Sequence, residues 1–497
     1  MKRAKLVGCV MGSLPGFAIG EATIGQNFSG LSQASSGLST NLNAAVAGAI
    51  GPNEYAEFVN GGIATYNRNT GAQLQSMSST NFWTNAGVSS SILSSGARSP
   101  RILYDAAVNR WYAVQVTSEA SNNHLLLAVS QSDSASLSSG NWKAISVATS
   151  ISGSSYHFGE SPSLGFDAGN VYVTTNNQFG AVGSPDYSAS IFSFPKSSLT
   201  SAVGPTTSGS HIVYGTSGNA ETWGFQPQAV VTSNTNSTGQ HFIAISYTTF
   251  GVINHFIVNG STVSSVDELT VGPTNFPSSP RQPDGTGYPS PNNGIDPFDD
   301  RISNNVYQVG NLIYLAHAIG LPADETEATQ SAIRWDVLKV TASGMQLFQE
   351  GTIQDPKFDF FQPSIAANAS GDVVIGFNRS GPASGSGEIN SFFDVGHTAA
   401  DGTLTFDDPQ RASLSPVGNY HAYKTPDPWS QTSSITVDPT DNSIFWLANE
   451  VPISSSTWGT QITEVETNTS TVPEPASLAL FAPAILWITR RQRSRRA

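Results

Sequence analysis

The chain has 497 residues and a mass of 52.2 kDa, long enough for one large repeat domain or for two to three ordinary ones. Only 12% of its residues are charged, and Ser, Thr, Asn and Gly abound, which argues against a coiled coil and against a charged disordered tail. The net charge of −14 disfavours phosphate-backbone binding, so no nucleic-acid partner is expected.

Lys2, Arg3 and Lys5 precede an apolar run broken by Gly and Pro, and small residues follow at Gly20 and Ala22. This is the layout of a secretory signal, expected over residues 1–22. The single cysteine, Cys9, lies inside it. The string LVGC that ends at Cys9 matches a lipoprotein cleavage box, but almost no apolar stretch precedes it. With the signal removed, no cysteine remains for a disulfide or a thiolate metal site, and stability must come from packing.

The body, expected as one domain over residues 23–466, shows no sustained 3.6-residue apolar period. Short alternating or β-branched runs recur instead, split by Gly, Asn, Ser and Pro: RWYAVQV from Arg110, HLLLAVS from His124, NVYVTTN from Asn170, HFIAISY from His241, NLIYLAH from Asn311, DVVIGFN from Asp372 and SIFWLAN from Ser443. A longer unit repeats around them. SPRILYDAAVNRWYAV starts at Ser99, SPSLGFDAGNVYVTT at Ser161, QPQAVV at Gln226, QPSIAANASGDVVIGF at Gln362 and QTSSITVDPTDNSIFWL at Gln431. The unit reads Ser or Gln then Pro, apolar alternation, an Asp or Asn turn, and a second strand. DDRISNNVYQVGNLIYLAH at Asp299 fits without the proline, and GPNEYAEFVNGGIATYN at Gly51 reads as a divergent first copy. The copies begin near residues 52, 100, 162, 227, 300, 363 and 432, with the longest interval between the fourth and fifth. One sheet of this size cannot bury both faces, but sheets stacked around an axis cover each other. The expected fold is all-β, a seven-bladed β-propeller with short signal helices at the two ends. The stretch 27–49 can add a strand to the last blade and close the ring.

After a linker at residues 467–472 comes VPEPASLALFAPAILWITRRQRSRRA, with Pro473, Glu474 and Pro475, then an apolar run, then an arginine cluster that opens with Arg490 and Arg491. The run is short of the roughly 20 residues that cross a bilayer comfortably, and the arginines favour the cytoplasmic side. This order over residues 473–497 resembles the PEP-CTERM sorting signal of exosortase-carrying bacteria. The resemblance implies exosortase-type sorting machinery as a partner, transient membrane insertion, removal of the tail, and release to the cell surface or extracellular matrix. The body also resembles exported bacterial propeller proteins without an established activity, on AIGPNEYAEFVNGGIATYNRNTG, VYVTTNNQ, FDFFQPSIAANASGDVVIGFNRSG and SITVDPTDNSIFW. The RWGDYS-like string usual before the last repeat is here PDPWSQTSS.

No Gly-x-Ser-x-Gly elbow, His-Glu-x-x-His pair, Gly-Lys phosphate loop or dinucleotide-binding glycine fingerprint occurs. No catalytic residue is assigned, and the eight histidines are scattered, with His157 and His317 nearest the expected rim. Acids and aromatics do recur just before the repeats. Glu160, Glu221, Trp223, Asp359, Asp427 and Trp429 are candidates for a ligand rim, where carboxylates and stacking rings suit a sugar. Asp296, Asp299 and Asp300 form the densest acid group and are candidate Ca²⁺ ligands. The expected role is a non-enzymatic structural or polysaccharide-binding propeller. The alternative is a secreted glycoside hydrolase or polysaccharide lyase, sialidase-like if Arg101, Arg301 and Arg379 converge on a substrate carboxylate.

Overall fold

The alternating apolar strings fold as strands. The computed structural model describes residues 22–37, 42–118, 123–149, 158–179, 186–214, 220–234, 239–289, 294–323, 327–399, 401–413, 417–421 and 427–467. Residues 1–21 of the signal expected over 1–22, Cys9 among them, His157 and the sorting-signal residues Pro473, Glu474, Pro475, Arg490 and Arg491 lie outside the described residues. The regular secondary structure of the described chain is nearly all strand, with short helical turns at Ser79–Asn85, Lys196–Leu199 and Ala220–Trp223. Among the described residues no helix is long and apolar enough to cross a membrane.

Among the described residues these strands group into sheets of four or five, numbered here one to seven in chain order; the first six are antiparallel meanders, the seventh takes one strand from near the start of the chain, and a separate parallel pair joins Ile295–Asp296 to Asp427–Pro428. Sheet one runs Ala47–Ile50, Glu54–Val59, Gly62–Asn67 and Gln73–Ser78. The first strands of sheets two to seven are Ala97–Asp105, Phe158–Phe166, Phe225–Val231, Val306–Val309, Asp359–Ala367 and Ser434–Val437. Each first strand touches that of the next sheet, and the last touches the first. Between sheets four and five the contact becomes a parallel pairing, Val230 with Val306. The arrangement is a β-propeller.

The strand period decides which side chain faces which neighbour. Successive residues of a strand point to opposite faces. In Arg110–Thr117, Trp111 and Ala113 turn toward sheet one and join Phe58 and Trp83. Tyr112, Val114 and Val116 turn toward sheet three and join Leu164, Val173 and Phe192. Both faces are dry, so the string reads as continuously apolar.

The ring closes with the start of the chain. Strand Thr23–Ser32 forms the outer edge of sheet seven beside Trp458–Glu466, which is the strand expected before the first copy. Glu57 of sheet one is fully buried and ties the closure together. It accepts the Leu31 N–H at 2.8 Å, the Tyr66 hydroxyl at 2.8 Å and the Thr460 hydroxyl. Arg68 of sheet one reaches Asp438 of sheet seven at 2.5 Å. Phe28 packs on Tyr66 and Trp446, with ring centroids 5.2 and 6.5 Å away.

The Ser/Gln-Pro pairs have a backbone cause. Ala45, Ser99, Ser161, Gln226, Phe298 and Gln362 all have left-handed φ, between 45° and 63°. In sheets two, three, four and six this residue and the next form a bulge, where the register slips between Arg98 and Arg101, Glu160 and Ser163, Phe225 and Gln228, and Phe361 and Ser364. Proline follows in these four. It has no N–H to leave unpaired, so it suits the extra position of a bulge. The preceding sheet supports the turn: Asn60 accepts the Ser99 N–H at 2.9 Å and Asn176 the Gln226 N–H at 2.7 Å. Ala45 is the equivalent of Ser99, so the first unit begins ahead of Gly51. The string at Gly51 is the turn after the first strand plus the second and third strands.

Burial pushes the carboxyls of Asp300 and Asp336 up to about 7 and those of Asp394 and Glu450 up to about 8. The unfolded chain ionises such groups near pH 4. Folding therefore retains extra protons above that pH, and this stability is lost as pH climbs through the folded values. Burial lowers His241 and His317 to about 4, and their contribution is the reverse: present above about 6.5 and lost as pH falls. Between about pH 6.5 and 8 the carboxyls dominate, at up to about 1.4 kcal/mol per pH unit for each group. Calorimetry is expected to show an apparent melting temperature several degrees lower at pH 8 than at pH 6.5. An unchanged or higher value would contradict this.

Candidate functional site

The bulges aim their side chains at the axis. Ser99, Ser161, Gln226, Phe298 and Gln362, with Arg101 and Gln431, line one mouth of the central channel. Little room is left there. About 20 Å³ is open to the centre of a water molecule at the mouth, and about 10 Å³ farther in. That holds one or two waters and no sugar ring.

A larger groove of about 350 Å³ opens beside the mouth and shares Asp299 and Arg301 with it. Its walls are Phe225 and the 245–250 turn of sheet four, Phe276, and the run Asp299, Asp300, Arg301. Tyr247, Phe250 and Phe276 are 48%, 48% and 54% exposed, unusual for rings of this size. Phe250 and Phe276 meet edge to face at 4.9 Å. Tyr247 packs on Phe225 at 5.9 Å, and the Arg301 guanidinium lies 4.0 Å over the same Phe225 ring. Phe276 comes from the long segment between sheets four and five, which explains the longest interval in the repeat.

The acids of this wall are in different states. Asp299 receives two hydrogen bonds from the Arg301 guanidinium, each 2.5 Å, and a third from the Arg301 backbone N–H at 3.1 Å. Asp300 is 7% exposed, and its Oδ2 has no hydrogen-bond partner. Burial first, and then the Asp299 charge, push its carboxyl up to about 7. The Asp300 carbonyl accepts a hydrogen bond from His317 Nδ1 at 2.6 Å. That leaves His317 Nε2 as a bare acceptor, 3.9 Å from Asp336 Oδ2. Asp336 is fully buried, and neither of its carboxyl oxygens has a hydrogen-bond partner.

The other candidates sit elsewhere. Asp359 is fully buried and accepts the Arg281 backbone N–H at 2.9 Å, its side chain at 2.7 Å and the Ser331 N–H at 3.1 Å. Trp429 is fully buried against Tyr420 and Phe361, with its N–H on Asn378 at 3.1 Å. Trp223 is half-buried on Phe256, and Glu160 is half-buried beside the Arg98 charge. The side chains of Glu221 and Asp427 lie outside the described residues. Asp296 accepts the Phe298 N–H at 2.9 Å, and no three acidic or imidazole side chains gather to hold a metal ion among the described residues. Arg101 and Arg301 both reach the mouth, but Arg379 is clamped between Phe358 and Phe392 at 3.9 and 3.8 Å. The three arginines therefore do not form one carboxylate-binding cluster.

No family model matches the chain, and no curated protein matches it. Among solved structures it is similar to a xylan β-1,4-xylosidase from Bacillus halodurans C-125, at 13% identity over 68% of this chain and TM-score 0.32. The chain spans 59% of that xylosidase. It is also similar to an α-L-arabinofuranosidase from Fusarium graminearum, at 10% identity over 74% of this chain and 93% of that one, TM-score 0.41. A third is a mutant of Trypanosoma rangeli sialidase displaying trans-sialidase activity, at 12% identity over 74% of this chain and 54% of that one, TM-score 0.35. No chemistry is carried over from likeness at this level.

Proposed function

We propose that this chain is an exported, seven-bladed propeller that takes a polysaccharide into the groove beside its axis and cleaves it as a glycoside hydrolase. The observation that carries the reading is the pairing of three exposed rings with a carboxyl, Asp300, that burial pushes up to about 7, so that a large share of it keeps its proton near neutral pH. Rings of this kind stack on the apolar faces of sugars. A carboxyl held protonated can give its proton to a glycosidic oxygen as the bond breaks. The second acid of the wall, Asp299, is held by Arg301 and offsets positive charge at the anomeric carbon only when substrate displaces that pairing. Phe250→Ala or Tyr247→Ala is expected to weaken glycan affinity about five- to thirty-fold, equivalent to about 1–2 kcal/mol. Calorimetry and reducing-end assays over a panel of neutral and acidic polysaccharides check both binding and turnover. Affinity for none of them would sink the reading.

A second reading, polysaccharide binding without turnover, is favoured by one observation. Both oxygens of Asp299 are already taken by Arg301, which leaves Asp300 as the uncommitted acid of the wall. Binding with no reducing ends released would select it.

For localisation, we propose export by the signal at residues 1–22, exosortase-type sorting through residues 473–497, and release at the cell surface or into the matrix. The tail's Pro-Glu-Pro, apolar run and arginines support this. Retention of the uncleaved chain in the membrane of a host lacking the sorting peptidase would test it.

A further inference from the structure

Arg101 stands in the first strand of sheet two and is 5% exposed. A guanidinium keeps its charge in a protein, and a buried charge without a counter-charge is strongly unfavourable. Among the described residues, the other deeply buried cations obey this rule. Lys196 is paired with Asp105, and Arg334 reaches Glu350 at 3.0 Å. Among the described residues, Arg101 has only two partners, the carbonyl oxygens of Pro100 at 3.1 Å and Ser303 at 3.0 Å. Its Nε has no hydrogen-bond partner. Burial alone bears on its ionisation, lowering its pKa to about 10, with no carboxylate acting in the other direction.

The same side chain borders both small spaces on the axis. The deeper space is lined by Ser364, whose buried hydroxyl has no hydrogen-bond partner among the described residues. Asp299, the acid at the mouth, is already neutralised by Arg301. The axis thus presents one uncompensated positive charge and a spare hydroxyl donor, in a space sized for one or two water-sized bodies. We propose that it holds one small inorganic anion, a chloride ion, against the Arg101 guanidinium. Sulfate, phosphate and a sugar carboxylate are too large for the space. The site lies on the axis, adjoins the glycan groove at Asp299 and Arg301, and does not depend on what that groove binds.

The test uses the purified full chain at constant sodium concentration. Its melting temperature is expected to be about 3 °C or more higher in 100 mM chloride than in 100 mM gluconate, because a ligand that binds only the folded state stabilises it. Equal values would overturn the proposal. Arg101→Met is expected to lose the chloride effect, and retention of the effect would also overturn the proposal. If that variant does not fold, crystals of the unaltered chain grown in bromide decide. An anomalous peak within about 3.5 Å of the Arg101 guanidinium is expected, and its absence would overturn the assignment.

Discussion

Replacing Asp300 with asparagine is expected to lower glycan turnover about 10²- to 10⁴-fold while leaving glycan affinity nearly unchanged. The amide fills the same space on the groove wall but has no acidic proton to give. The unaltered chain should also show a characteristic pH profile. Its Asp300 carboxyl is pushed up to about 7, so kcat/KM should fall as pH rises past that value and the acid ionises. The residual activity of Asp300→Asn should lack this limb. Steady-state kinetics from pH 5 to 9 measure both effects. A variant with full turnover and an unaltered profile would remove Asp300 from the chemistry. His317 enters only indirectly, through its hydrogen bond to the Asp300 carbonyl.

Deleting residues 23–32 should have the largest effect on stability. The outer edge of Trp458–Glu466 would lose its partner strand. Phe28 would be stripped from Tyr66 and Trp446, and Glu57 would lose the Leu31 N–H. Each buried polar group left unpaired costs about 1–3 kcal/mol, and an exposed strand edge invites association with other chains. The expected product is an aggregating species without a cooperative melt near that of the full chain, seen by circular dichroism and size-exclusion chromatography. A monomer that melts within a degree or two of the full chain would show that the ring does not need this strand. The closure also joins residues more than 400 positions apart, as in the contact of Gln26 with Glu464, so folding should be slow.

The sheets were legible because strands buried on two faces leave long apolar runs such as RWYAVQV and HLLLAVS. The Ser/Gln-Pro signature was visible too, and its backbone cause is a bulge with a left-handed residue ahead of proline. The first unit was misplaced because Ala45 and Val46 carry neither the Ser/Gln nor the Pro of that signature. The groove was harder to see. Tyr247 read as the end of the strand HFIAISY, yet the strand stops at Ile245 and the next residues turn outward. An aromatic-bearing Thr/Gly turn, YTTFG, was the available signal. Phe276 gave none, because only the fold brings the 271–289 segment beside that turn. Asp359 and Trp429 carry chemistry that suits a sugar, but sequence alone does not tell a carboxylate on the surface from one locked to Arg281, or an exposed indole from a packed one.

The bulges separate two demands that usually compete. In a regular strand, any side chain aimed at the axis is followed by one committed to the neighbouring sheet, so a change at the axis disturbs the pairing around it. Here the axis-facing residue is the supernumerary one, and the ladder resumes beyond it. The chain thus carries a set of exchangeable positions around one opening, where polarity and size can drift over evolution at little cost to the scaffold.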